Sequence, residues 1–484
     1  MKHSKNILYR PLIMISLLFV FSAGQAAKKI SINKSSVFIL ADSTLSAEIE
    51  RQLVSNELSL YYPNSVKTFY QKRNFNSPWI KPQSGTGSTW QAMLLIDCVL
   101  QFGLSRDDYH PHELNYDDLH NILEKPGTIT IKRQARFDII LTDALLNFIN
   151  NLHFGKLNPD YPAKKIDSLT TGFRAEKALT DAIMEKDFMN AIGDVQPKSK
   201  EYTEMQHHMR LWTGLYTGDC YEIPESDIRL LAINMERLRW ANVDSGSYIM
   251  VNIPSYTLTL YEADSTYEFK AIVGTSENPT PTLGSQISYF TTAPEWKVRN
   301  KIFRKELLPR ALEDSSFLGN NHYAIYDGKG EYIEPNAANL SLVKQNPRKY
   351  RVTRSAGCDK AFGLVVFRFP NIYDVYLHDT PERQLFKKQQ RDLSHGCVRV
   401  EYAEKLAALL LKYDGSGNKI AALDKAILKY QTKNFTLQKP VPLKIAYITS
   451  IVSKGEVLNY KDIYKLDNSL EMVLYNQTQQ FTNR

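Results

Sequence analysis

Two short stretches hold the side chains best suited to covalent chemistry, "SHGCVRV" (Ser394–Val400) and "VYLHDTP" (Val375–Pro381). Side chains alternate along a strand, so His395, Cys397 and Arg399 are expected on one face, with Val398 and Val400 on the other. The apolar face belongs in a core, which leaves a thiol between an imidazole and a guanidinium. Nearby positive charge lowers a thiol's pKa, and the thiolate is the attacking species. Gly396 permits a sharp bend and the close approach of a substrate. It is also expected to free backbone amides for a developing oxyanion. A nucleophilic thiol needs a base. His378 is the candidate, two residues from Tyr376 and so on the same strand face. Fifteen mostly polar residues separate His378 from Ser394, enough for two neighbouring strands to bring His378 alongside Cys397. Asp379, or its backbone carbonyl, would then hold the imidazole tautomer, as the third member of a triad does. Tyr376 is placed to donate to an oxyanion or a substrate carbonyl.

Other chemistries fit less well. Ligands spaced as tightly as His395-Gly396-Cys397 are too cramped for a zinc site, and no metal or organic cofactor is expected. A papain-like peptidase carries its cysteine ahead of its histidine, the reverse of the order here. His153, His322 and the pair His207–His208 read as ordinary half-buried polar residues.

The elements that must position these residues fall into two groups, an α+β arrangement. Before residue 245 helical periodicity dominates, with helices expected over 88–104, 136–155, 176–191, 200–216 and 226–240. Residues 40–244 read as an all-helical domain. Strand patterns follow at 247–254, 256–262, 267–274, 363–370 and 374–379, with one helix at 402–413. Residues 246–424 read as a mainly β, sandwich-like domain. An irregular insertion at about 294–362 has the character of a lid. The remaining 425–484 supply strands at 443–451 and 470–476 that pack on the β domain.

The chain has 484 residues and a formal net charge of +8. Residues 1–26 read as an export signal: Lys2, Lys5 and Arg10 precede the apolar run Leu12–Phe21, with a small-residue cleavage site after it. Ten apolar residues are too few to span a bilayer. An exported, periplasmic protein with no stable membrane span is therefore expected. Without those three basic residues the charge is +5, and no basic run is interleaved with aromatics, which argues against nucleic acid. Of the four cysteines, Cys98 reads as a small buried hydrophobe. With Cys397 reactive, Cys220 and Cys358 leave little room for a disulfide scaffold.

At the cysteine motif the sequence resembles the L,D-transpeptidases, whose signature is a His, fourteen to seventeen residues, then Ser/Thr-His-Gly-Cys; here His378 precedes Ser394-His395-Gly396-Cys397 by fifteen. The ending "CVRV" and the stretches "FYQKRNFNSPWI", "INMERLRW", "NPTPTL", "APEWKV" and "FPNIYDVYLHDTPERQLF" are similar to the large multidomain periplasmic branch. The resemblance implies peptidoglycan stem peptides as donor and acceptor, and cell-wall synthesis proteins as partners. It implies Cys397 as nucleophile, His378 as base, and Tyr376 with the Gly396 backbone at the oxyanion. His395 and Asp379 would support catalysis, and Arg399, Ser394 and Trp296 would bind substrate. Direct diaminopimelate cross-links would be the product, and carbapenems would acylate the thiol. Hydrolysis by the same acyl-enzyme, or a non-catalytic wall-binding role, are the alternatives. The chain departs from that branch in two places. Only about Gly214–Pro224 lies where many members insert a wall-binding module, and Cys358 stands near the end of the lid.

Overall fold

The computed structural model describes residues 34–475 apart from 56, 81–86, 215–224, 243–245, 263–264, 294–295, 299, 322 and 355–362. The leader at 1–26, Cys220 and Cys358 lie outside the described residues.

The helical half is built around Ile131–Phe154, whose residues from Phe137 to Leu152 are all buried. A helix enclosed on all sides must pair every polar group it carries. Asp143 accepts the amides of Tyr61 (2.8 Å) and Tyr62 (3.0 Å) and contacts His110 Nε2 at 2.8 Å. Asp138 accepts from Tyr70 Oη at 2.5 Å and from Ser77 Oγ. Burial outweighs these donors and pushes the Asp138 carboxyl up to about 6. A carboxyl with a raised folded pKa binds its proton more tightly folded than unfolded. Its contribution is therefore largest below pH 4 and is lost as pH rises from about 4 to 6. Asp138→Asn is expected to remove that slope. Relative to the parent, the variant should gain roughly 2–3 kcal/mol between pH 4 and 7, read by urea unfolding at both pH values.

Two helices differ from the sequence expectation. The first ends at Asp97 and tightens into a 3-10 turn over Val99–Phe102. Gly103 closes it in the left-handed region (φ +66°), where a Cβ would lie 2.9 Å from Ala232 Cα. Cys98, at that junction, is half-buried rather than enclosed. The stretch at 176–191 is two helices, Ala175–Met184 and Phe188–Gly193, because Asp187 caps the second by accepting the Asn190 amide at 3.1 Å.

The strands are β1 (Tyr248–Asn252), β2 (Thr257–Glu262), β3 (Ser265–Gly274), β4 (Leu283–Thr292), β5 (Trp296–Lys297), β6 (Tyr323–Tyr326), β7 (Tyr332–Ile333) and β8 (Arg351–Arg354). There follow β9 (Val365–Arg368), β10 (Leu377–His378), β11 (Asp392–Ser394), β12 (Val398–Val400), β13 (Lys433–Ala446), β14 (Ser450–Ser453) and β15 (Glu456–Asn459). The main sheet runs β11-β3-β12-β10-β9-β4-β13-β1-β2, and β2 also pairs with β3. That last pairing closes eight strands into a mixed barrel, so the sandwich expected from sequence is corrected. The six-pair β2–β3 hairpin supplies the closure, and closure removes the exposed edges that a sandwich leaves. Inside lie Val251, Leu258, Ala271, Phe290, Phe367, Leu377, Val398 and Val400, all buried.

The insertion is likewise not irregular. It folds as a sheet of order β5-β8-β6-β7 with helices Leu308–Glu313 and Ala337–Gln345 around its own core of Phe303, Leu308, Ala311, Ile325, Leu340 and Val352. Its strands have two to four residues, too short to display alternation. Residues 470–476, expected as a strand, fall in the helix Asp467–Leu474 up to its end. That helix docks on Glu225–Trp240 through Arg237–Asp467 at 2.5 Å and Arg229–Glu471 at 3.3 Å. The helical half and the barrel therefore share a core, in which Met205, Leu231 and Met235 meet Met250, Ile448 and Leu474. No helix among the described residues is long and apolar enough to cross a membrane.

Candidate active site

The cysteine motif wraps around the end of β3. β11 pairs parallel to β3 through Ser394↔Gly274, and β12 pairs antiparallel to it through Arg399↔Ile272. Between them, residues 395–397 must cross over Gly274. A Cβ there would lie 3.0 Å from Gly396 Cα and 2.1 Å from Asn278 O, so only glycine admits the crossing. Gly396 takes φ +103° to complete it.

β10 lies beside β12, parallel, with Leu377↔Val398 and His378↔Arg399 in register. Leu377 and Val398 face the core, so Tyr376 and His378 share the opposite face with Cys397 and Arg399. The Val398 amide donates to Tyr376 O at 3.0 Å, which sets Tyr376 level with Cys397. His378 is buried, 4% exposed. Its Nδ1 lies 2.6 Å from the carbonyl of Asp379. That contact keeps the proton on Nδ1 and leaves Nε2 as the basic nitrogen. Of the two orienting groups considered for Asp379, the backbone carbonyl is the one in contact. The Asp379 carboxylate turns away to accept the Leu364 amide at 2.8 Å, and burial raises its pKa. Cys397 is half-buried. Tyr376 Oη donates to Asp374, and burial, Asp374 and the nearby Cys397 all push the phenol up. At neutral pH it is a donor.

The other candidate residues make the following contacts. Ser394 is buried and binds its own loop, donating to Cys397 O at 2.5 Å and accepting the Gly396 amide at 3.1 Å. It is a staple of the turn rather than a group facing substrate. The same contact occupies the Gly396 N–H, so that amide does not point toward an oxyanion. Arg399 directs its guanidinium to Glu382 at 2.5 Å, tying the connection after His378 to the motif strand. His395 is exposed and reaches the lid, Nε2 lying 3.0 Å from Glu306 Oε1. Trp296 is described only through its backbone, which pairs with Arg354 in the lid sheet.

Sequence reasoning assigned no role to the residues that brace the crossing. Thr280 Oγ1 donates to Gly396 O at 3.0 Å and accepts the Gly274 amide at 2.8 Å. Tyr464 Oη donates to Gly274 O at 2.6 Å and accepts the Thr280 amide at 3.1 Å. Thr280 lies in "NPTPTL", a stretch quoted for resemblance alone. Tyr464 carries no local signal, since its partners are 184 and 190 positions away.

Comparison with known proteins matches residues 64–209 to a scaffold domain and residues 246–421 to an L,D-transpeptidase catalytic domain. A curated Haemophilus influenzae protein named "Putative L,D-transpeptidase" is 34% identical over 254 residues. The alignment covers 52% of this chain and 51% of that protein, so the chain spans about half the length of the curated relative it matches.

Proposed function

We propose that the protein cross-links peptidoglycan in the periplasm, on the premise that residues 246–421, which match an L,D-transpeptidase catalytic domain, act as one behind the region that matches a scaffold domain. Cys397 Sγ gives its proton to His378 Nε2 and attacks the carbonyl of the third residue of a donor tetrapeptide stem. The tetrahedral oxyanion draws on Tyr376 Oη as a donor once that hydroxyl turns from Asp374. Collapse breaks the peptide bond, the proton passes from His378 to the leaving nitrogen, and D-alanine departs. The thioester is then attacked by the side-chain amine of diaminopimelate on a neighbouring stem. An amide bond forms as the amine gives a proton to His378, the carbon–sulfur bond breaks, and that proton returns to sulfur to restore the thiol. The reading rests on one observation above all: the parallel register of β10 and β12 sets His378 and Cys397 on one face, with Nδ1 held by Asp379 O.

Product analysis tests it. The purified full chain, given tetrapeptide-containing muropeptides, is expected to yield D-alanine and dimers joined between diaminopimelate residues, resolved by liquid chromatography and mass spectrometry. Tripeptides without dimers would instead assign the same acyl-enzyme to hydrolysis.

A further inference from the structure

Cys397 stands at the end of a loop that is held from within and from outside. Ser394 staples it from within, through Cys397 O and the Gly396 amide. From outside, Thr280 Oγ1 donates at 3.0 Å to Gly396 O, an atom of the peptide unit that leads into Cys397. A glycine at φ +103° has no Cβ to restrict how that peptide plane turns, so a partner has to set it. Thr280, 3% exposed, is in place to do so. Its own position is set by Tyr464, whose Oη accepts the Thr280 amide at 3.1 Å and donates to Gly274 O at 2.6 Å. On the transpeptidase reading above, we propose that Tyr464 is a positioning residue for the reaction. Through Thr280 it fixes the peptide plane entering Cys397, and thereby where the sulfur stands relative to His378.

Each hydroxyl of the brace gives its one proton and accepts one amide hydrogen, Thr280 from Gly274 at 2.8 Å and Tyr464 from Thr280. A trans peptide is planar and stiff, so holding its carbonyl oxygen orients the nitrogen and Cα of Cys397 that follow. Tyr464 thus grips the end of β3 directly and the loop above it through Thr280. It is anchored in turn. Its ring stacks on Tyr447 with centroids 5.5 Å apart, and its amide donates to Tyr447 Oη at 2.8 Å. Tyr447 Oη donates to Asp462 at 2.5 Å, and the Arg237 guanidinium lies 5.1 Å from the Tyr447 ring centre. The hydroxyl that braces the motif therefore comes from the same C-terminal segment that docks on Glu225–Trp240. Tyr464 acts at one remove from the sulfur, so its effect falls on rate and thiol reactivity rather than on binding of the donor stem. Burial pushes its phenol up, which keeps the proton in place over the pH range of an alkylation series.

Two measurements on the full chain test this. One is D-alanine release from a tetrapeptide muropeptide. The other is alkylation of Cys397 by iodoacetamide as a function of pH, read by peptide mass spectrometry. Tyr464→Phe removes one hydroxyl and keeps the ring on Tyr447. It should lower kcat about ten- to a hundredfold, the cost of misplacing a reacting group, with KM within about twofold of the parent. Its alkylation profile should move to higher pH, because a sulfur less well placed beside His378 has a less stabilised thiolate. Thr280→Val should show the same changes, and Thr280→Ser, which keeps the hydroxyl, should lose much less. Because one residue acts through the other, Thr280→Val with Tyr464→Phe should fall no further than Thr280→Val alone. Parental kcat and alkylation profile in Tyr464→Phe, a rise in KM alone, or losses that multiply in the double variant would overturn the brace. Where Tyr464→Phe does not fold, Thr280→Val against Thr280→Ser decides. A parent that releases no D-alanine would overturn the transpeptidase reading instead, and the Cys397 alkylation profiles would still decide the brace.

Discussion

Cys397→Ala is expected to abolish donor acylation, lowering it by at least about four orders of magnitude, as loss of a nucleophile does in comparable catalytic sets. Cys397 is half-buried at the mouth of a tightly braced loop, and removing one sulfur there leaves little cavity. The thermal unfolding midpoint should stay within a degree or two of the parent. Cys397→Ser keeps the shape but supplies a hydroxyl that a single imidazole activates poorly, so it should be nearly as inactive. His378→Ala should cost roughly 10²–10⁴-fold, the usual contribution of a positioned base. It should also remove the lower limb of the pH–rate profile, which a merely structural substitution would not do. Acylation is read as the mass of the stem peptide added to the intact chain. An Ala variant at 397 that still gains that mass at more than one part in a hundred of the parental rate would place the nucleophile elsewhere.

How much of this was legible in the sequence depends on the distance over which each determinant acts. The adjacency of the strands carrying His378 and Cys397 was legible because nineteen residues of separation with β-pattern at both ends leave few arrangements. The long buried helix was legible from its own periodicity and from Gly155 at its end. The barrel was not, because closure is made by β2 pairing with both β1 and β3, and a strand shows nothing of its second partner. The lid's order was hidden by strands of two to four residues. The helix at Asp467–Leu474 was misread because its apolar residues admit either period over so short a run. What decides it is packing on a helix more than 200 positions earlier, through Arg229 and Arg237. At the site, residue types were legible but directions were not. The charge of Arg399 was legible but its contact with Glu382 was not, because sequence spacing does not disclose that the two meet in space.

The second large effect is on stability. Glu236→Ala is expected to destabilise the protein by about 3–5 kcal/mol, the cost of orphaning one member of a buried ion pair. Glu236 and Arg239 sit one turn apart on Glu225–Trp240, both side chains fully enclosed, Nη1 lying 3.2 Å from Oε2. The carboxylate also accepts the Leu157 amide at 2.7 Å and Trp240 Nε1 at 2.9 Å. Arg239 reaches Phe102 O at 2.5 Å and Tyr202 Oη at 3.0 Å. The pair thus knots the helix Glu225–Trp240 to the ends of two others. Gly155 makes room for it, since a Cβ there would lie 2.8 Å from Glu236 Oε1. Replacing both members by apolar residues would not restore stability, in contrast to isolated buried pairs, because the Leu157 amide, the Trp240 indole and the Phe102 carbonyl would all lose partners. Glu236→Gln keeps an acceptor for Leu157 and should recover part of the loss. Urea unfolding followed by tryptophan fluorescence checks the order: parent above Glu236→Gln above Glu236→Ala. A Glu236→Ala variant within 1 kcal/mol of the parent would show that solvent or a shifted neighbour satisfies Arg239, and that the helix Glu225–Trp240 does not depend on this contact to stay in place.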